Sequence, residues 1–301
     1  MKFQKHHKRS ILGVGVFVGL GVFATLTTAQ EPLPPLTVKP IRGNVYWAVG
    51  GAGGNTGFII GDNGVIVIDA KTTAQSAKEM LAEIAKITPK PVTHVILTHS
   101  DADHVNGLAG FPKGLTIIAH ENCEREIEAA INTPNNPGAA ALIDHLPNQR
   151  VTNVESLTID GVRVNLLHYA PAHTDGDLFI YLPDQKVVFA GDIVTLTLPW
   201  PLIHLAKNGS SQGWIQSMKA ILLIDADLYV PGHGAALHTK NELRKKVTEA
   251  EQTRTKIRQL VTQGMSLDDI KKALAEPPQP PGPGPRFPTY AEVVFEELSR
   301  N

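Results

Sequence analysis

THSDADHVNG, residues 98–107, follows the apolar run VTHVIL and places His99, Asp101, Asp103 and His104 within six residues. Neighbouring backbone positions cannot aim four such side chains at one ion. Residues two apart on a tight turn can share a metal while the next pair faces a second site close by. The spacing therefore predicts two ions and further ligands downstream. Three residues answer that expectation, each in a turn at a strand end: His173 in APAHTDGD, Asp192 in VVFAGDIV and His233 in YVPGHGA. Glycines beside Asp192 and His233 let the backbone turn sharply enough for a side chain to face a cavity.

The segments around these turns read as mixed strands and helices. NVYWAV, TGFII and VIVIDA are short apolar runs separated by the turn signals GGAGGN and GDNG,. TTAQSAKEMLAEIAKI carries Ala77, Met80, Leu81, Ile84 and Ile87 on a helical stripe, and PVTHVIL returns to a buried strand,. TIIA is a strand, ENCEREIEAAI a helix, and residues 132–150 an irregular loop or lid. SLTI, VRVNLLHY, LFIYL and KVVFAG are strands, QGWIQSMKAILLI a helix, and LYVPGHG a strand entering a loop. This order predicts an α/β sandwich with its loops gathered at one edge.

The chain has 301 residues, 42% hydrophobic and 19% charged, enough for one large core,. Residues 1–29 read as an export signal: Lys2, Lys5, Lys8 and Arg9, an apolar run from Ile11 to Leu26, then Thr27, Thr28 and Ala29,. The expected location is periplasmic or secreted, with no stable membrane association once the signal is cleaved. Cleavage removes four of the 28 basic residues and none of the 29 acidic ones, leaving 24 against 29 and a charge of −5. Nucleic acid is not expected as a partner on that balance. Cys123 is the single cysteine, which excludes an intrachain disulfide, and it reads as a buried or bystander thiol rather than a nucleophile,. The expected organisation is a signal over 1–29, a catalytic domain over 30–239, and a helical extension with a Pro-rich linker, PPQPPGPGPRFP, over 240–301,. In that extension Leu243, Val247, Ile257, Leu260 and Val261 fall on one helical face, so its charges read as a solvated face,.

HSDADH, His173, the Gly191-Asp192 pair and His233 together resemble the metallo-β-lactamase superfamily over roughly Val45 to Gly234, with HSDADH in place of HxHxDH. The resemblance implies a four-layer αβ/βα sandwich and a dinuclear centre. His99, Asp101 and His173 would hold the first ion, Asp103, His104 and His233 the second, and Asp192 would bridge them. Zinc is the first expectation, with iron or manganese as alternatives. Asp101 stands where most members carry histidine. Aspartate oxygen binds zinc at about the distance of imidazole nitrogen. Its added negative charge predicts a weaker Lewis acid and greater tolerance of hard ions.

The expected activity is that of an exported metallohydrolase. A metal-bridged hydroxide would attack a small ester, lactone, lactam or related molecule, and Asp103 would orient it and relay its proton. Three alternatives stand beside it: an antibiotic-hydrolysing β-lactamase, a di-iron redox protein of the same fold, and a non-catalytic metal sensor. The subclass with cysteine at the second metal is excluded because Asp192 occupies that place. His94, His120, His145, His168, His204 and His238 take structural readings, and Trp200 is assigned to packing.

Overall fold

The computed structural model describes residues 33–276 and 286–300; the export-signal reading and most of the Pro-rich linker lie outside these residues. The first sheet begins with four antiparallel strands, β1 (Thr37–Arg42), β2 (Val45–Val49), β3 (Thr56–Ile60) and β4 (Val65–Ile68). Helix α1 (Ala74–Ile87) then crosses to β5 (Val92–Ile96), parallel to β4. The single turn α2 (Ala102–Val105) leads towards β6 (Thr116–His120). Helices α3 (Glu121–Ile131) and α4 (Pro137–Ala140) then lead to β7 (Gln149–Val151); β6 and β7 extend the parallel part of this seven-stranded sheet.

The second sheet has six strands, β8 (Val154–Ile159), β9 (Val162–Leu167), β10 (Phe179–Leu182), β11 (Val187–Phe189), β12 (Leu228–Val230) and β13 (His238–Thr239). Helix α5 (Ser211–Ile221) connects β11 to its parallel neighbour β12. Helices α6 (Lys240–Thr262), α7 (Leu267–Ala273) and α8 (Tyr290–Ser299) follow.

Strand alternation explains the layering. Ile66 and Ile68 of β4 join Ile180 and Leu182 of β10 in a core between the sheets. Their neighbours Val65 and Val67 point the other way, onto Met80 and Ile84 of α1. Phe179 and Tyr181 of β10 likewise face Trp214, Leu243 and Tyr290 from the last helices. Successive side chains on a strand leave by opposite faces, so wholly apolar strands feed two cores each. Three cores between four layers give the expected αβ/βα sandwich.

Several local expectations change. TVKPIR forms an edge strand, β1, ahead of the first strand the sequence marked, with Pro40 beside a register shift that excuses its missing N–H,. Residues 132–150 are not wholly irregular: Asn136 caps α4, and Gln149–Val151 pair with β6. Ile87, placed on the buried stripe of α1, is exposed in its final turn. The charged face of α6 is not entirely solvated, because Lys246 and Arg254 are buried. Lys246 donates to the carbonyls of Leu198 and Pro199, and Arg254 to Ser211 Oγ and Glu297, tying α5, α6 and α8 together.

Candidate metal centre

Parallel strands end side by side at one edge of the sandwich, and their outgoing turns carry the site, as in open α/β sheets generally. The turn after β5 bears His99 and Asp101, and α2 bears Asp103 and His104. His173 lies between β9 and β10, Asp192 in a tight turn after β11, and His233 after β12. The structure brings all seven together in two adjoining groups. His99, Asp101, His173 and Asp192 form an inner cluster, and Asp103, His104 and His233 an outer one, each with donor atoms within 4.8 Å of one another. Asp192 also reaches the outer group: Oδ1 lies 3.4 Å from His104 Nε2 and Oδ2 3.4 Å from His233 Nε2.

These spacings suit a shared ion. Ligands at about 2.0–2.1 Å from a tetrahedral metal lie about 3.3 Å from each other. His104 Nε2 and His233 Nε2 are 3.4 Å apart, His233 Nε2 and Asp103 Oδ2 3.1 Å, and His173 Nε2 and Asp101 Oδ2 3.0 Å. The buried His99 Nε2 and Asp192 Oδ1 lack hydrogen-bond partners, an arrangement that costs free energy unless something else ligates them,.

The other ring nitrogens fix the tautomers. His104 Nδ1 donates to Asp69 Oδ2 at 2.8 Å, and His173 Nδ1 to the Leu202 carbonyl at 3.0 Å. Thr98 Oγ1 donates to Asp69 at 2.7 Å, so it must accept from His99 Nδ1, 2.9 Å away. All three rings therefore turn Nε2 inward, which is how ligating imidazoles are usually oriented. Asp69, buried at the end of β4, is an organiser that spacing alone did not reveal.

Histidines and carboxylates of the two clusters shift one another's titration. Burial opposes a charge on His173, but its hydrogen bond to Asp101 and the charge of Asp192 raise its pKa to about 9. His233 is likewise raised to about 9 against burial, by Asp103 and Asp192. Burial would raise Asp192, yet His104 and His233 hold it well below the usual carboxylate range. His99 is pushed well below its ordinary value by burial and then by His104.

Two polar residues given structural readings, or none, meet the inner cluster. His204 Nδ1 donates to Asp101 Oδ1 at 3.0 Å, and Lys207 Nζ lies 2.8 Å from the same oxygen. No periodic signal marks either one, because both sit in an irregular segment a hundred residues downstream. The charge argument for Asp101 changes accordingly: its extra negative charge faces an ammonium. His120 and His168 stack on each other with ring centres 4.1 Å apart and take no part in either cluster. Trp200 stacks on Tyr290, as packing predicts.

The glycine-rich flap between β2 and β3 is less featureless than its sequence. A Cβ on Gly54 would fall 2.3 Å from the His104 ring, so only glycine lets the backbone lie there,. Buried Lys71 pins the flap by donating to the Gly50 and Gly54 carbonyls at 2.8 and 2.9 Å. A cavity of about 680 Å³ lies between this flap and the outer cluster. Another, of about 430 Å³, runs from Asp101 and Asp103 along an apolar wall of Ile127, Ala130, Ala139 and Leu142, with Phe287 also on its lining.

The metallo-β-lactamase superfamily model matches residues 49–233, well over half of the chain. The chain belongs to the metallo-β-lactamase superfamily. It is 31% identical over 204 residues to the 2,4-dinitroanisole O-demethylase subunit alpha of Nocardioides sp., covering 66% of this chain and 58% of that one. It is 23% identical over 280 residues to a linear primary-alkylsulfatase of Pseudomonas sp., covering 77% and 52%. The chain thus spans little more than half the length of these two relatives. A solved stereoselective inverting sec-alkylsulfatase from Pseudomonas sp. shares the fold, with TM-score 0.64, 19% identity, and coverage of 87% of this chain and 50% of that one.

Proposed function

We propose that the protein is a metal-dependent hydrolase that cleaves a small ester, lactone, lactam or related molecule at a dinuclear centre. The unpartnered, buried His99 Nε2 and Asp192 Oδ1, aimed into a cluster of fixed-tautomer histidines, carry this reading. His99, Asp101 and His173 would hold one ion, Asp103, His104 and His233 the other, and Asp192 would touch both. Zinc fits the mixed nitrogen and oxygen donors, and iron or manganese the share of carboxylates. When bound, the ions would supply Lewis acidity and a water acidified to near-neutral pKa.

The chain's own residues supply the rest. Burial would raise Asp103, but its hydrogen bond from His233 and the charge of His104 hold it below the usual carboxylate range. It is therefore ionised at neutral pH, can accept a proton from the attacking water, and can return it to the leaving oxygen. The wall of Ile127, Ala130, Ala139 and Leu142 would bind an apolar alkyl or aryl group beside the centre,. The alkylsulfatase and the nitroanisole demethylase act, by their names, on molecules with such a group, which supports the same class here. The signal-like residues 1–29 support export to the periplasm or beyond,.

The experiment is metal analysis of the purified chain coupled to a panel of alkyl sulfates, aryl methyl ethers, carboxylic esters, lactones, β-lactams and phosphodiesters. Turnover of at least one class, lost on chelation and restored by added metal, is expected. A chain loaded with two ions yet inert across the panel would favour the sensor alternative. Oxygen consumption with iron bound would favour the redox one.

A further inference from the structure

Lys207 sits at the edge of the inner cluster, where an extra cation would ordinarily oppose metal binding. Its ammonium has three hydrogens and three acceptors: Asp101 Oδ1 at 2.8 Å, the Ser100 carbonyl at 2.9 Å and Ser100 Oγ at 3.0 Å. It has no hydrogen left for a substrate anion, which argues against a role as a binding lysine.

Its position is also built rather than incidental. Residues 204–210 are bolted to the loop that carries His173. The His204 amide donates to the His173 carbonyl at 2.8 Å, the Asp175 amide to the Lys207 carbonyl at 2.9 Å, and the Ser210 amide to the Ala172 carbonyl at 3.0 Å. Asn208, in left-handed conformation with φ of 56°, closes the turn and donates to Asp175 Oδ2 at 2.9 Å. Asp101 Oδ1 receives Lys207 at 2.8 Å and His204 Nδ1 at 3.0 Å; Oδ2 faces His173 Nε2 at 3.0 Å and His99 Nε2 at 3.9 Å, with His204 Nδ1 a longer 3.3 Å away. Oδ1 is thus held by Lys207 and the shorter His204 contact, and Oδ2 is turned towards the Nε2 atoms of His173 and His99.

We propose that Lys207 and His204 are positioning residues of the inner metal site, holding Asp101 so that it offers one oxygen while Lys207 cancels its charge. Asp101 and Lys207 together then do electrostatically what a neutral histidine does at this place in the superfamily pattern. The proposal rests on the reading of the clusters as a dinuclear metal centre.

A double-mutant cycle on the full chain tests it, using Asp101→His, Lys207→Met and the pair combined. Zinc binding is titrated against a chromophoric chelator, cobalt binding is followed by its visible spectrum, and folding by circular dichroism. Asp101→His alone leaves an ammonium facing an imidazole and should weaken the inner ion on the order of tenfold or more. Adding Lys207→Met should restore most of that loss, a strong departure from additivity. Lys207→Met alone should keep both ions but alter the cobalt spectrum and shift the inner site's preference from zinc towards manganese by about tenfold.

Additive losses, or a Lys207→Met chain with wild-type spectrum and preference, would overturn the proposal and leave the metal reading standing. Wild-type protein that takes up no ion at all would overturn both. Should Asp101→His fail to fold, Lys207→Arg decides: retained charge should bring the spectrum and preference back to wild type, and failure to do so counts against Lys207 as the counter-charge.

Discussion

The inner and outer clusters use the same two side-chain types and differ in enclosure. His99, Asp101, His173 and Asp192 are all buried, with Asp101 fenced by His204 and Lys207. In the outer cluster only His104 is buried; the side chains of Asp103 and His233 remain 38% and 41% exposed and border the cavities. A closed cage favours retention of an ion, while an open one leaves room for exchange and for substrate. The two halves should therefore divide the work, the inner ion anchoring and the outer one meeting substrate.

The severest challenge to this division is Asp192, whose carboxylate oxygens reach both histidines of the outer half. Asp192→Ala should cost both ions and about 10³-fold or more in turnover, checked by metal analysis beside a kinetic assay. Loss of a single ion would show that the halves are not joined through Asp192.

Chelation comes next. Under a graded chelator the metal content should fall in two phases, with the outer ion leaving first and a plateau at one ion per chain. A single-phase loss would erase the distinction drawn from burial.

Acid should act on both halves, in opposite senses for metal-bound and metal-free protein. In the metal-free chain His173 and His233 are each raised to about 9, above the ordinary value of 6.5. Each must lose its proton to ligate, so metal affinity should rise with pH up to about 9, by up to about tenfold per proton per unit. The protonated pairs stabilise the metal-free fold fully below pH 6.5, and this contribution is lost as pH rises through 9,. Calorimetry in buffers of different ionisation enthalpy should register the released protons, and the metal-free Tm should decline over the same interval.

A gentler probe is Lys71→Met, which unpins the flap over the outer half. One buried and one half-buried carbonyl lose their donor, for a cost of about 1–3 kcal/mol,. KM should rise several-fold while the inner ion stays put; an unchanged KM with a lowered Tm would reduce Lys71 to a purely structural lysine.

What the sequence made legible follows from these contacts. The seven clustered residues stand out because they sit in short turns directly after apolar runs, where chain direction is constrained by the strand before them. Alternation likewise exposed the strands, since wholly apolar segments such as VIVI must be covered on both faces. His204 and Lys207 were invisible for the opposite reason. They occupy an irregular segment whose path depends on hydrogen bonds to the His173 loop, and a lysine in such a stretch looks solvated until its partner is known. The edge strand TVKPIR escaped notice because four of its six residues are exposed and one is proline, so it bears little hydrophobic signature.

Phe287 carries a practical consequence. It lies near the end of the Pro-rich segment and places its ring 4.9 Å from that of His204, on the lining of the cavity beside Asp101. A recombinant fragment trimmed after the sandwich would retain every candidate ligand and still lose part of the chamber in which they work. Expression boundaries, cleavage sites and C-terminal fusion tags therefore belong among the variables of any assay on this protein.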